Sequence, residues 1–189
     1  ALAGLAEQAQ DGSPEDPSRR ALFDEVCALR RRIAFKNPLL NFDSIIFQKH
    51  HRARFEHMVD QYFGFHAVPG GGVFVLEGAF GTNPLLRDAL ADATVENGRL
   101  MGRTLEGGSF VSLELDYDAR TIFFAWTEAQ VPLPPTDYTP MEELWKPEST
   151  YHIFRASMDG TGLTQLTDGA WNDFDPCRLP NGRICFVSE

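Results

Sequence analysis

Three side chains in one short stretch, His57, Asp60 and His66, are of the types that hold a transition metal. Two imidazoles with a carboxylate suit zinc, iron or copper, and His50 and His51 lie close by in sequence. No pair has the i, i+4 spacing that sets two histidines on one helical face. The same residues therefore also read as surface or packing histidines. A second group, Asn172, Asp173 and Asp175 with Asp168, crowds oxygen donors into one loop. It lacks the glycine and the distal bidentate glutamate of a calcium loop. Aspartates in such a setting cap turns by accepting from backbone amides, and that reading is preferred.

Other chemistry is thinner. Lys49-His50-His51-Arg52 with Arg54 is a small basic run, better suited to a solvated loop than to an anion site. Gly70-Gly71-Gly72 is not followed by the Lys-Ser/Thr of a phosphate loop. No Gly-x-Ser-x-Gly elbow is present. His152 alternates with Phe154 and Ala156, which predicts a core-side histidine. Cys27, Cys177 and Cys185 are isolated, and without Cys-x-x-Cys-His these residues cannot attach haem covalently. If Asn181-Gly182 is a two-residue turn, Arg178 opposes Cys185 and Cys177 opposes Phe186. The two cysteines then point to opposite faces and no bridge forms between them. Buried free thiols are the expectation, with Cys185 in a core strand.

The elements that would position these residues sit in a chain of 189 residues, 43% apolar and carrying a net charge of −10. That is one domain with material for a core. Its charge argues against a binder of duplex nucleic acid, which must neutralise phosphates. No window reaches the roughly 18 consecutive apolar residues of a membrane span. Residues 1–36 read as a helical N-terminal segment with a linker at 11–18. In it Asp16 caps a helix opened by Pro17, whose apolar stripe is Leu22, Val26, Leu29 and Ile33. Asn37-Pro38 stops it.

Residues 37–189 read as strands and turns. Strands are expected at Ser44–Phe47, Val73–Leu76, Thr121–Thr127, Tyr151–Ser157 and Leu163–Leu166, with a last hairpin through Asn181-Gly182. Asn83-Pro84 predicts a brief helix to about Ala91, and Asn97-Gly98 a tight hairpin. Val131–Pro147, with five prolines, predicts a long surface loop. Three stretches share one grammar, a polar turn and then a strand with Ile early and Phe after it: Asn41–Phe47, Tyr117–Phe124 and Pro180–Phe186. Their isoleucines are spaced by 122 − 45 = 77 and 184 − 122 = 62 residues. These would be propeller blades of about 40–50 residues enlarged by insertions.

Tyr151–Glu189 resembles a TolB/PD40-type propeller blade. The likeness rests on Met158-Asp159-Gly160-Thr161-Gly162, Leu166-Thr167-Asp168-Gly169, Asp175-Pro176 and Pro180-Asn181-Gly182-Arg183-Ile184. Further motifs occur in order from Asn37 to Asp43, His57 to Tyr62, Pro69 to Gly72, Val95 to Arg99 and Trp171 to Cys177. Together they resemble the bacterial proteins related to the α subunit of hydrazine synthase, around the middle propeller domain. The resemblance implies an exported, periplasmic or secreted, multidomain protein, with c-type haem in some relatives.

The expected fold is thus mainly β: a partial β-propeller of two to three blades of a truncated ring, behind a helical N-terminal segment. The chain would be a piece of a longer protein whose remaining blades and other domains are its partners, with a further protein partner allowed and no nucleic acid or membrane span. Two functions are carried forward. One is a non-catalytic scaffold or binding module. The other is part of a redox enzyme whose haem or metal lies outside these residues; the hydrazine-forming chemistry itself has no identifiable residues here.

Overall fold

The structure, a computed structural model, describes residues 17–54, 57–58, 60–129 and 141–189. They fall into two compact units: one holds residues 17–43 and Phe80–Thr82, the other residues 44–79 and 83–189. The expected cap Asp16 and residues 11–16 of the linker lie outside the described residues.

In the first unit, helix α1 (Pro17–Ala34) begins at the expected proline and carries Arg31 and Arg32 in its last turn, where cations favour the helix dipole. Leu22, Val26 and Leu29 are half-buried and Ile33 is exposed. No residue of the helix is buried within its unit. Asn37 accepts from the Leu39 amide (3.0 Å) and caps a 3-10 turn at Pro38–Leu40. Among the described residues no helix is long and apolar enough to cross a membrane.

The second unit is built from three antiparallel sheets. The first contains β1 (Ile45–Lys49), β2 (Gly72–Glu77) and β3 (Leu85–Asp88). The second is a four-strand meander in chain order, β4 (Ser109–Leu115), β5 (Thr121–Thr127), β6 (His152–Ser157) and β7 (Thr164–Gln165). The third pairs β8 (Asp173–Arg178) with β9 (Ile184–Ser188). Strand β5 shows how they pack. Its sequence TIFFAWT is buried from Ile122 to Thr127 because both faces are covered. Ile122, Phe124 and Trp126 enter a core with Val73 and Val75 of β2. Ala125, on the opposite face, joins Val111 and Tyr151, against which Phe174 of β8 packs. The middle sheet is therefore sandwiched between its neighbours in chain order.

Three local expectations fail for identifiable reasons. The helix expected from Asn83 is β3, paired to β2 in the register Phe74↔Asp88 to Glu77↔Leu85. So short a segment cannot nucleate a helix alone, whereas the open edge of β2 offers backbone partners at once; Leu85 and Leu86 stay exposed. The hairpin expected around Asn97-Gly98 is a wider loop closed by Val95 and Arg103 (2.9 Å), with no strand on either side. Within the proline-rich stretch, residues 131–140 lie outside the described residues and a short helix, α2 (Met141–Leu144), follows.

The third sheet corrects the cysteines. The turn after β8 has three residues, Pro180-Asn181-Gly182, closed by Leu179 N–H to Arg183 O (2.8 Å) and Gly182 N–H to Leu179 O (2.9 Å). Gly182 takes φ +83°, the left-handed position that ends a type I turn with a bulge. The extra turn residue shifts the register by one, so Cys177 faces Cys185 and Arg178 faces Ile184. All three cysteines are free, and Cys177 and Cys185 are exposed rather than buried.

Candidate functional site

Two polar centres stand out in the second unit. The first is the expected metal group. Asp60 is buried in a 3-10 turn, Asp60–Tyr62, and its Oδ1 lies 2.9 Å from His66 Nδ1. Its other oxygen accepts from the backbone amide of His57 (3.1 Å). The structure thus brings Asp60 and His66 together, while His57 joins through its main chain and its side chain is exposed. Among the described residues no group of three or more His, Cys, Asp or Glu is arranged to hold a metal ion. Burial holds the His66 imidazole below its usual range, against the opposing pull of Asp60. Around this pair, Phe65 and Trp145 pack edge to face (5.4 Å), and Phe65 packs edge to face on the His66 ring (4.4 Å).

The second centre was not singled out from the sequence. Arg99 reaches three loops at once. It bonds Glu128 Oε1 (2.5 Å) after β5, Pro147 O (2.9 Å) before β6 and Asp168 Oδ1 (3.1 Å) after β7. The Glu128 side chain, 4% exposed, also receives Arg103 at 3.0 Å. Burial works against the Arg99 charge, yet hydrogen bonds and charges from Glu128 and Asp168 outweigh it and raise its pKa. Beside it, Asn97 imitates a strand: Oδ1 accepts from Gln165 N–H (2.7 Å) and Nδ2 donates to Gln165 O (3.1 Å). Glu96 N–H donates to Leu163 O (2.8 Å). Val95–Arg99 therefore covers the edge of β7, where unpaired backbone would invite foreign strands.

His152 borders this clasp. It is 1% exposed, and its Nε2 lies 2.9 Å from the Pro147 carbonyl. A carbonyl only accepts, so Nε2 carries the proton. Its buried Nδ1 has no hydrogen-bond partner among the described residues. Burial first, partly offset by Pro147 and Asp168, keeps the ring below its usual pKa and neutral. Tyr151, on the next position, is pushed up to about 12 by burial.

The acidic loop is structural. Asn172 Oδ1 accepts from both Gly64 N–H and Tyr151 N–H (3.0 Å each), and its Nδ2 donates to Glu189 (3.1 Å). Gly64 has no room for a side chain, since a Cβ there would overlap the Ser149 carbonyl. Asp175 accepts from Ser112 Oγ (2.5 Å). Gly70–Gly72 lines a cavity of about 350 Å³ whose charged members are Asp88 and Glu106. That lining repels phosphate. A second cavity, about 290 Å³, lies between the second and third sheets, with Arg155 and Arg178 on its wall; Arg178 is already paired with buried Asp116.

Chemically, the Arg99 clasp is closed on itself. Both Glu128 oxygens are engaged, one by Arg99 and one by Arg103, so the arrangement fastens loops to one another. The signal for it was available: Glu128 directly follows an all-buried strand, and an acid there requires a cationic partner. Comparison with protein-family models, with curated proteins and with solved structures returns no significant match.

Proposed function

We propose that residues 44–189 are successive sectors of a β-propeller, serving as a scaffold or binding module in an exported bacterial protein of the hydrazine synthase α-related kind. One observation carries the propeller reading: β4 and β8 open their hairpins with the same irregularity. Each has a bulge, between Val111 and Glu114 in one and Phe174 and Cys177 in the other. Each bulge begins with a positive φ, +58° at Ser112 and +50° at Asp175, 175 − 112 = 63 residues apart. Each turn is braced alike, Asp118 accepting from Arg120 N–H (2.7 Å) and Asn181 from Arg183 N–H (3.0 Å). The isoleucines on the return strands, Ile122 and Ile184, are 184 − 122 = 62 apart because the second turn is one residue shorter.

The sheets also meet in a repeated way. Strand β4 lies against β1 and β2 of the sheet before it, and β8 against β4, β5 and β6 of the sheet before it. Equivalent contacts at each step are what radial stacking requires. The module reading is supported by the polar centres, whose side chains tie loops together. The exported compartment draws on the resemblance alone, as does the alternative of a redox enzyme with its haem or metal elsewhere.

Elemental analysis and visible absorption separate the two when made on the protein carrying the domains encoded around these residues, where the redox reading puts its haem or metal. The module reading expects no stoichiometric transition metal and no haem absorption. A bound metal lost in His57→Ala would overturn it in favour of the redox reading.

A further inference from the structure

Cys177 and Cys185 face one another across β8 and β9, and both are free and exposed. Residues directly opposite in an antiparallel pair point to the same face, with Cα atoms about 4.5–5.5 Å apart depending on the hydrogen-bonding position. Both values fall inside the roughly 4.4–6.8 Å span of disulfide bridges. The three-residue turn sets this register, and the bulge at Asp175-Pro176 changes the pairing only beyond Cys177. The short turn of this hairpin thus also aligns the thiols. At the corresponding places in the second sheet stand Glu114 and Phe123, so the pair is a property of the third sheet alone.

We infer that Cys177 and Cys185 form a cross-strand dithiol that closes to an intramolecular disulfide by exchange with a disulfide oxidant. One thiolate attacks a sulfur of the donor, breaking its S–S bond, expelling one thiol and leaving a mixed disulfide. The other cysteine then attacks the protein sulfur, expels the second thiol and forms the Cys177–Cys185 bond. The cysteines lose two electrons, the donor disulfide gains them, and the two protons leave with the expelled thiols. Because the second thiol is held opposite the first, its effective concentration exceeds that of a free competitor and the mixed disulfide is short-lived. The closed form locks the β8–β9 register. It stands whether or not the sheets belong to a ring.

The test uses the whole chain, equilibrated with oxidised glutathione or with dithiothreitol, blocked with N-ethylmaleimide and digested with trypsin without reduction. Cleavage after Arg155, Arg178 and Arg183 leaves peptides 156–178 and 184–189. In the oxidised sample these two should appear joined, lighter by two hydrogens than their sum, while Cys27 remains blocked or glutathionylated. Dithiothreitol should return both as blocked thiols. The joined species should persist in Cys27→Ser, vanish in Cys177→Ser and in Cys185→Ser, and form faster in buffer than in denaturing urea. Glutathione adducts on Cys177 and Cys185 without the joined peptide would overturn the inference. So would bridges to Cys27, or closure no faster in the native chain than in urea.

Discussion

Strands β5 and β9 each follow a tight polar turn and carry the same apolar pattern, yet one is interior and the other is not. Ile122, Phe123, Phe124 and Ala125 of β5 are at most 1% exposed. At the matching positions of β9, Cys185 is exposed, Phe186 is 40% exposed and Val187 48%. The apolar-plus-turn grammar specifies a strand in both places. What differs is the neighbourhood: β5 has a sheet against each face, whereas β9 is the outer strand of a two-stranded sheet. Local sequence sets the element; stacking sets its energetic weight.

The sharpest way to break this comparison is to truncate the matched phenylalanines. Phe124→Ala should cost about 3–5 kcal/mol in urea unfolding, as a large buried ring leaves a cavity. Phe186→Ala should cost only about 1 kcal/mol, in proportion to the area it buries. Equal losses would mean that β9 is as enclosed as β5.

Next in size is the clasp that ties the loops of the second sheet. Glu128→Ala removes the partner of both Arg99 and Arg103 and should cost about 2–3 kcal/mol. The half-exposed pair Arg87–Glu77 supplies the control, with Glu77→Ala costing under about 1 kcal/mol. Chemical denaturation at fixed pH reads both.

Acid should weaken the second unit through half-buried His66 and buried His152. His66 and His152 both titrate below their ordinary 6.5 in the folded chain, burial being the first cause in each. The unfolded chain therefore binds more protons as pH falls below 6.5, and folding stability declines from there toward the folded pKa values. A denaturant series from about pH 7 to about pH 5 should show the decline. His152→Gln should remove part of that slope, and an unchanged slope would mean His152 is not neutral when folded.

The smallest effect compares the turns. Asp118 is held below its usual range by the amides of Arg120 and Thr121, while Asn181 performs the same brace uncharged. Asp118→Asn should leave neutral-pH stability nearly unchanged. It should remove the acid dependence instead: the wild type loses stability as pH falls from about 3.8 through the lowered folded pKa of Asp118, and the uncharged variant does not.

What could be read in the residues was whatever depends on near neighbours. Pro17 opening a helix, the strand from Thr121 to Thr127 and the turn at Asp159-Gly160 all follow from local pattern. The segment 83–91 did not, because pairing with β2 outweighs its weak local preference. The cysteine register depended on whether Pro180 belongs to the turn, a one-residue choice that reverses every side chain on β9. Asp60 and His66 were singled out and do meet. Arg99 was quoted only as part of a resemblance, since its three partners are 29, 48 and 69 residues away in the chain. Long-range polar clasps leave no periodic trace.

The equivalence of the sheets is tested most directly where the two bulges touch, at Ser112 and Asp175. A double-mutant cycle with Ser112→Ala and Asp175→Ala should give a coupling of about 0.5–1 kcal/mol, since the bond joins the opening strands of adjacent sheets. A coupling indistinguishable from zero, with both single variants folded, would mean that β4 and β8 do not meet as stacked sectors.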